Sequence, residues 1–346
     1  MNNKTLLAIA AVLLAISLFS YKSSTTRAER FERGQKFLSQ LNADSVHEIE
    51  IVKGETKVVL RKDDERFVVS SKNNYPAKNE AINRFITDTL AIELDKNVGS
   101  SDDLAKELEI TGGEKSFTVT LRNDAGKDMV KFAVGKASED GRGNYLKRLD
   151  GDDSGIYLSS KGVYLSSDAD NFLSKEIVDV AAEKIASIQG GDYRLDDKDG
   201  TLVLANVPAG KKESSGVGQV KSLLAALSFD KVHLADEAEV SALNFDNRIK
   251  VSLKDNSSYL AELAQVGEKY YLKMTGDYDT SKLEGLSVGK EDTEEQLKEK
   301  SALLTRRDAI ETFNNFHGSW VYELSSYVGK KFYNTQTDLI GEEKEE

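Results

Sequence analysis

The chain has 346 residues, enough for one large or two ordinary domains with a substantial buried core. Its formal net charge is −12 and it has no cysteine, which excludes disulfides, thiolate nucleophiles and cysteine-held zinc or iron–sulfur sites. The acidic balance also argues against nucleic acid as a partner, because that binding rests on clustered Lys and Arg.

The first feature met along the chain is an uncharged apolar run that follows Lys4 and ends before Lys22. Leu6, Leu7, Ile9, Val12, Leu13, Leu14, Ile16, Leu18 and Phe19 carry it, with Ser20 and Tyr21 at its end. As a helix it falls just short of the roughly 17–25 residues that cross a bilayer. Two readings stand. One is a retained membrane anchor. The other is a cleaved export signal, although no A-x-A pattern follows the run and no cysteine is present for lipid attachment. Basic residues after the run (Lys22, Arg27, Arg30, Arg33 and Lys36) outnumber Lys4 before it and lean toward a cytoplasmic body. Long domains, however, translocate largely regardless of such charge.

Residues 22–43 then read as a helical stalk, since Phe31, Leu38 and Leu41 recur at helical spacing beside Phe37. From Val46 the period changes to two. Ile49 and Ile51, Val58 and Leu60, and Phe67 and Val69 are separated by Gly54 and by the turn at 62–65, which predicts a β-meander. Ala81, Ile82, Phe85, Ile86 and Leu90 make one face of a helix, and Ser101 is placed to cap a second carrying Leu104 and Leu108. Further strands follow at Phe117–Leu121, Val130–Val134, Tyr145–Leu146 and Ile156–Leu158.

After Ile185 the same order returns. Hairpin strands are predicted at Tyr193–Leu195 and Leu202–Leu204, and a helix carries Val220, Leu223, Leu224 and Leu227. Strands follow at Ile249–Leu253, Leu260–Val266 and Tyr270–Leu272. "FTVTLRNDAGKDMVKFAVGK" matches "IKVSLKDNSSYLAELAQVGE", which predicts an α+β fold made of tandem duplicated units of antiparallel meander plus helices. A polar helix is predicted from Glu291 to Phe316, and a closing strand at Trp320, Tyr322 and Leu324. The expected organisation is therefore 1–21 anchor or signal, 22–43 stalk, 44–180 first repeat and 181–290 second repeat. Residues 291–346 form a C-terminal helix and strand with a frayed acidic tail.

No catalytic or metal constellation emerges. The acidic turn Asp150-Gly151-Asp152-Asp153 begins like a calcium loop, but Lys161 stands where that loop needs its last acidic ligand. His47, His233 and His317 are far apart without a metal-binding spacing, and Gly216-Val217-Gly218 reads as a flexible loop rather than a phosphate cradle. The expectation is a non-enzyme without cofactor or metal. Trp320, Tyr322 and Tyr327 are candidates for a partner interface, weighed against a core stripe on the last strand.

The anchor, the meander "VHEIEIVKGETKVVLRKDDERFVVS", the helix "AINRFITDTLAIELDKNV" and the ending "GSWVYELSSYVGKKF" together resemble the bacterial domain-of-unknown-function 4340 family. That resemblance implies a single-pass protein of the bacterial inner membrane with its body in the periplasm. It also implies work beside an ABC transporter permease and auxiliary membrane subunits of the gliding-motility type. The function expected is a non-catalytic accessory subunit acting by protein–protein docking. The alternative is a periplasmic protein that binds a small ligand or glycan in a cleft between repeats.

Overall fold

The computed structural model describes residues 33–39, 41–112, 114–283 and 293–342. The chain divides into two compact units, the first ending at Ser174 and the second beginning at Lys175. Both are α+β, and every strand pairing is antiparallel among the described residues.

The first unit contains strands β1 (Glu48–Lys53), β2 (Thr56–Asp63), β3 (Arg66–Val69), β4 (Tyr75–Pro76), β5 (Leu94–Gly99), β6 (Phe117–Arg122), β7 (Asp128–Ala137), β8 (Asn144–Arg148) and β9 (Ile156–Ser159). They form one sheet in the order β4-β3-β2-β1-β6-β7-β8-β9-β5. The predicted meander is present, turning at Gly54, whose φ of +56° costs glycine no Cβ clash. Helix α1 (Asn79–Leu90) buries Ile82, Phe85 and Thr89. Helix α2 (Asp102–Glu107) begins where Ser101 accepts a hydrogen bond from the Leu104 N–H, as the sequence predicts. Successive residues of a strand face opposite sides of the sheet. Ala133 and Ile156 therefore pack with Ala105 and Leu108 on the α2 side, while Phe132 and Tyr157 face the other.

The second unit contains β10 (Glu176–Val178), β11 (Ile185–Gln189), β12 (Arg194–Lys198), β13 (Thr201–Leu204), β14 (Lys211–Glu213), β15 (Leu227–Ser228), β16 (Lys231–Leu234), β17 (Asn247–Leu253), β18 (Ser257–Val266), β19 (Lys269–Tyr278), β20 (Trp320–Leu324) and β21 (Ile340–Glu342). The main sheet runs β13-β12-β11-β17-β18-β19-β20-β16, with β10–β15 and β14–β21 as separate two-stranded ribbons. Helix α3 spans Gly216–Lys221 and α4 spans Ala238–Ser241, whose Val240 packs with Ala264, Tyr271 and Val321. The long helix α5 (Glu294–His317) opens with a capping box between Thr293 and Gln296. Helices α6 (Ser326–Lys331) and α7 (Gln336–Leu339) follow β20.

Three sequence expectations are corrected. Residues 33–39, assigned to a helical stalk, are turns hydrogen-bonded to the start of β5: Gly34 N–H to Leu94 O, Phe37 N–H to Ile92 O, and Leu94 N–H to Gln35 O. The pairing of this backbone with residues 92–94 wins over the weak helical spacing of Leu38 and Leu41. Residues 43–45 form only a short 3₁₀ turn, and 22–32 lie outside the described residues. The helix predicted around Val220–Leu227 starts earlier, at Gly216, inside the segment read as a flexible loop. It unwinds after Lys221 into i→i+3 turns, with Ala226 at φ +46°. The matched strings keep register through β6 and β17 but slip beyond them, because residues 123–127 connect β6 to β7 whereas only 254–256 connect β17 to β18.

Candidate functional site

On the α1-containing unit's sheet, Val58, Ile51, Val119, Phe132 and Arg148 form one cross-strand row. The first four are apolar and fully buried. Arg148 ends the row with a guanidinium on an otherwise greasy face. It is held by two hydrogen bonds to Asp150, Nε to Oδ1 at 2.8 Å and Nη2 to Oδ2 at 2.7 Å. Such a two-pronged pair neutralises the charge locally. The Asp150 hydrogen bonds push the Arg148 pKa up. Burial, the largest single effect, pushes the Asp150 carboxyl up, but the hydrogen bonds from Arg148 and from the backbone together with the Arg148 charge outweigh it and leave that group below the usual carboxylate range.

Around this pair lies a cavity of about 320 Å³. Its walls come from three separate segments. Residues 35–39 supply Gln35, Lys36, Phe37 and Ser39. Strand β5 supplies Leu94 and Asn97. The β8–β9 turn and β9 supply Asp152, Asp153 and Tyr157. Phe37 is buried, and its ring meets Phe132 edge-on at 5.5 Å and Tyr157 at 6.5 Å. The Tyr157 hydroxyl donates to Asp153, whose Oδ1 also accepts the Gly155 N–H at 2.9 Å. Burial first, and then the Asp153 charge, push the Tyr157 phenol up to about 12. The result is a polar hollow with an aromatic wall. Its two cations, Lys36 and Arg148, stand against three carboxylates, Asp150, Asp152 and Asp153, a slight acidic excess. A more open hollow of about 670 Å³ lies beside α5, where Arg306 is already held by Asp255 and Ser257.

The acidic turn 150–153, set aside in the sequence as an incomplete calcium loop, proves to line the cavity, but the other walls were not anticipated. The available signal was Arg148 itself, a charge following Leu146 on the core-facing side of β8, with an acidic residue two positions on. The residues singled out as a partner interface separate in the structure. Trp320 and Tyr322 are buried in β20, where their alternation with Val321 places them under the α5 side of the sheet, so neither offers its ring to a partner. Tyr327, on α6, is 75% exposed, with Lys331 Nζ over its ring at 4.5 Å. The apolar run Leu6–Phe19 lies outside the described residues, and among those described no helix is long and apolar enough to cross a membrane.

Two histidines also sit in defined surroundings. His317 is buried, with Nδ1 2.6 Å from the Tyr322 hydroxyl and its ring against Phe313, and burial pushes its pKa down to about 4. His233 lies between Glu237 and Glu323, at 3.4 and 3.7 Å.

A family model described as "Domain of unknown function (DUF4340)" matches residues 68–248, just over half of the chain. No curated protein and no solved structure matches.

Proposed function

The chain belongs to the DUF4340 family, and on that premise we propose that it is a non-catalytic accessory subunit of an ABC transporter complex, anchored in the bacterial inner membrane with its body in the periplasm. It acts by docking on the permease and auxiliary membrane subunits. The observation that carries this reading is how the chain joins the first unit. Phe37 and Leu38 are buried, and the backbone of residues 34–37 is hydrogen-bonded to Ile92 and Leu94. Only about a dozen residues separate that attachment from Tyr21 at the end of the apolar run, a reach of roughly 40 Å even when fully extended. An anchored body is thereby held close to the membrane surface, where a transporter partner is within reach. Tyr327 supplies an exposed aromatic of the kind enriched at interface hot spots. Replacing Tyr327 with Ala in tagged full-length protein tests the docking. Capture of transporter subunits should fall by about tenfold or more, as for a hot-spot residue, with the fold unchanged. Unchanged capture would remove Tyr327 from the interface.

The two units are read as products of an internal duplication. Three features support this. Eight strands run in the same order, β3-β2-β1-β6-β7-β8-β9-β5 and β13-β12-β11-β17-β18-β19-β20-β16. The row Val58–Ile51–Val119–Phe132–Arg148 has a counterpart in Leu195–Ile188–Val251–Tyr259–Gly276. Short helices α2 and α4 each connect an edge strand to the sheet centre, and each packs on the same side of its sheet. Experimental structures of the two units should superpose strand for strand, with Arg148 on Gly276. A superposition that required a different strand pairing would rule duplication out.

A further inference from the structure

The row comparison singles out one position at which the units behave differently. In the second unit it is Gly276, and α5 lies directly on it. Asn314 accepts the Gly276 N–H at 2.6 Å and donates to its carbonyl at 2.8 Å, and a Cβ there would meet Ile310 at 3.1 Å. In the first unit the same row ends in Arg148, and the space beside it is the cavity of about 320 Å³. The ring that α5 sets against Tyr259, Phe313 at 5.0 Å, has its counterpart in Phe37 against Phe132. The short 35–39 segment therefore covers the aromatic row but leaves open the place next to it that a helix fills in the other unit.

We infer that this cavity is a binding site for a neutral polyhydroxylated ligand, a single sugar ring. Four properties of the lining select that class. The volume is at the lower end of the ~300–1,000 Å³ of small-molecule sites, which suits one ring and not an extended chain. Arg148 is already neutralised by Asp150 and Asp153 is held by the Tyr157 hydroxyl and the Gly155 N–H, so the slight acidic excess of the lining disfavours an anion and leaves carboxylate oxygens to accept from hydroxyls. The remaining groups mix donors and acceptors: the amides of Gln35 and Asn97, the Ser39 hydroxyl and the Asp152 carboxylate. Hydroxyls that both donate and accept match such a set. The rings of Phe37 and Tyr157 supply the apolar wall that the C–H face of a sugar packs against. This inference does not depend on transporter docking, since it concerns a different surface and a different ligand.

The test is titration of the purified full-length chain in mild detergent with glucose, galactose, mannose, N-acetylglucosamine and their β1,4-linked disaccharides. Inorganic phosphate and putrescine serve as charged probes. At least one neutral saccharide should bind saturably at one site. Asn97→Ala and Asp152→Ala, both at exposed positions, should each weaken that binding by about tenfold with the circular dichroism spectrum unchanged, and Tyr327→Ala should leave it intact. The inference is overturned if no saccharide saturates up to about 10 mM, if binding survives both substitutions, or if only phosphate or putrescine binds. A chain that captures transporter subunits but binds no saccharide would keep the docking reading and lose this one.

Discussion

His317 shows how burial alone converts a residue into a pH-dependent contribution to stability. Its ring is packed among Phe313, Phe316 and Tyr322, and burial pushes its pKa from 6.5 down to about 4. Above about pH 6.5 the histidine is neutral in both folded and unfolded chains, and its contribution is fully present. As the pH falls from 6.5 toward 4, the unfolded chain takes up a proton that the folded chain resists, and stability drains by about 3 kcal/mol in total. Below about pH 4 this contribution is exhausted. Urea unfolding of the wild-type protein should lose stability steeply across that window, and His317→Gln should flatten the slope whatever it does to stability at pH 7. An unchanged slope in the variant would place the titrating group elsewhere. The sequence showed His317 only as one of three dispersed histidines, because spacing along the chain carries no information about burial. Arg148 was overlooked for a related reason: its alternation with Leu146 hints at the core-facing side, but only the pairing with Phe132 places a charge on that buried row.

At the scale of elements, strands were the most legible feature. Ile49, Ile51, Val58 and Leu60 alternate as a half-buried sheet requires, and β1 and β2 form where that pattern lies. Helices were legible where a cap or a full apolar face existed, as at Ser101 and along Ile82 and Phe85. They were misread where a few apolar residues merely fell at helical spacing. Residues 33–39 satisfy that spacing in part yet pair with residues 92–94, and no local rule foresees a backbone partner so distant in sequence. Helix α5 is mostly polar, and of its apolar residues only Ile310 is fully buried. Its attachment to the sheet therefore draws on polar contacts, the paired hydrogen bonds between Asn314 and Gly276 and those of Arg306 to Asp255 and Ser257. Asn314→Ala removes both bonds to Gly276 and should cost about 1–3 kcal/mol. Limited proteolysis would then cut within α5 before the sheet strands. Equal protease resistance in the variant would show that Ile310, Phe313 and the Arg306 contacts hold the helix without Asn314.

For the whole molecule, the α+β class and the antiparallel meanders were readable from pattern, and the family match over residues 68–248 agrees with the resemblance over residues 81–98, while the anchor, nearly all of the meander at 46–70 and the ending at 318–332 lie outside it. The common strand order of the two sheets was only half visible in sequence. The connections 123–127 and 254–256 differ in length, so matching strings drift apart even while the strands keep their places. The cavity was invisible because its walls come from residues near 36, near 97 and near 152, joined only by the fold. The proposed work of this body at the membrane beside transporter subunits is open to a direct pull-down. Tagged full-length protein is extracted in mild detergent, and the intact chain and everything captured with it are identified by mass spectrometry. The expected result is an uncleaved chain that brings down ABC transporter permease and auxiliary subunits. A chain beginning after about Tyr21, recovered without any transporter component, would contradict it.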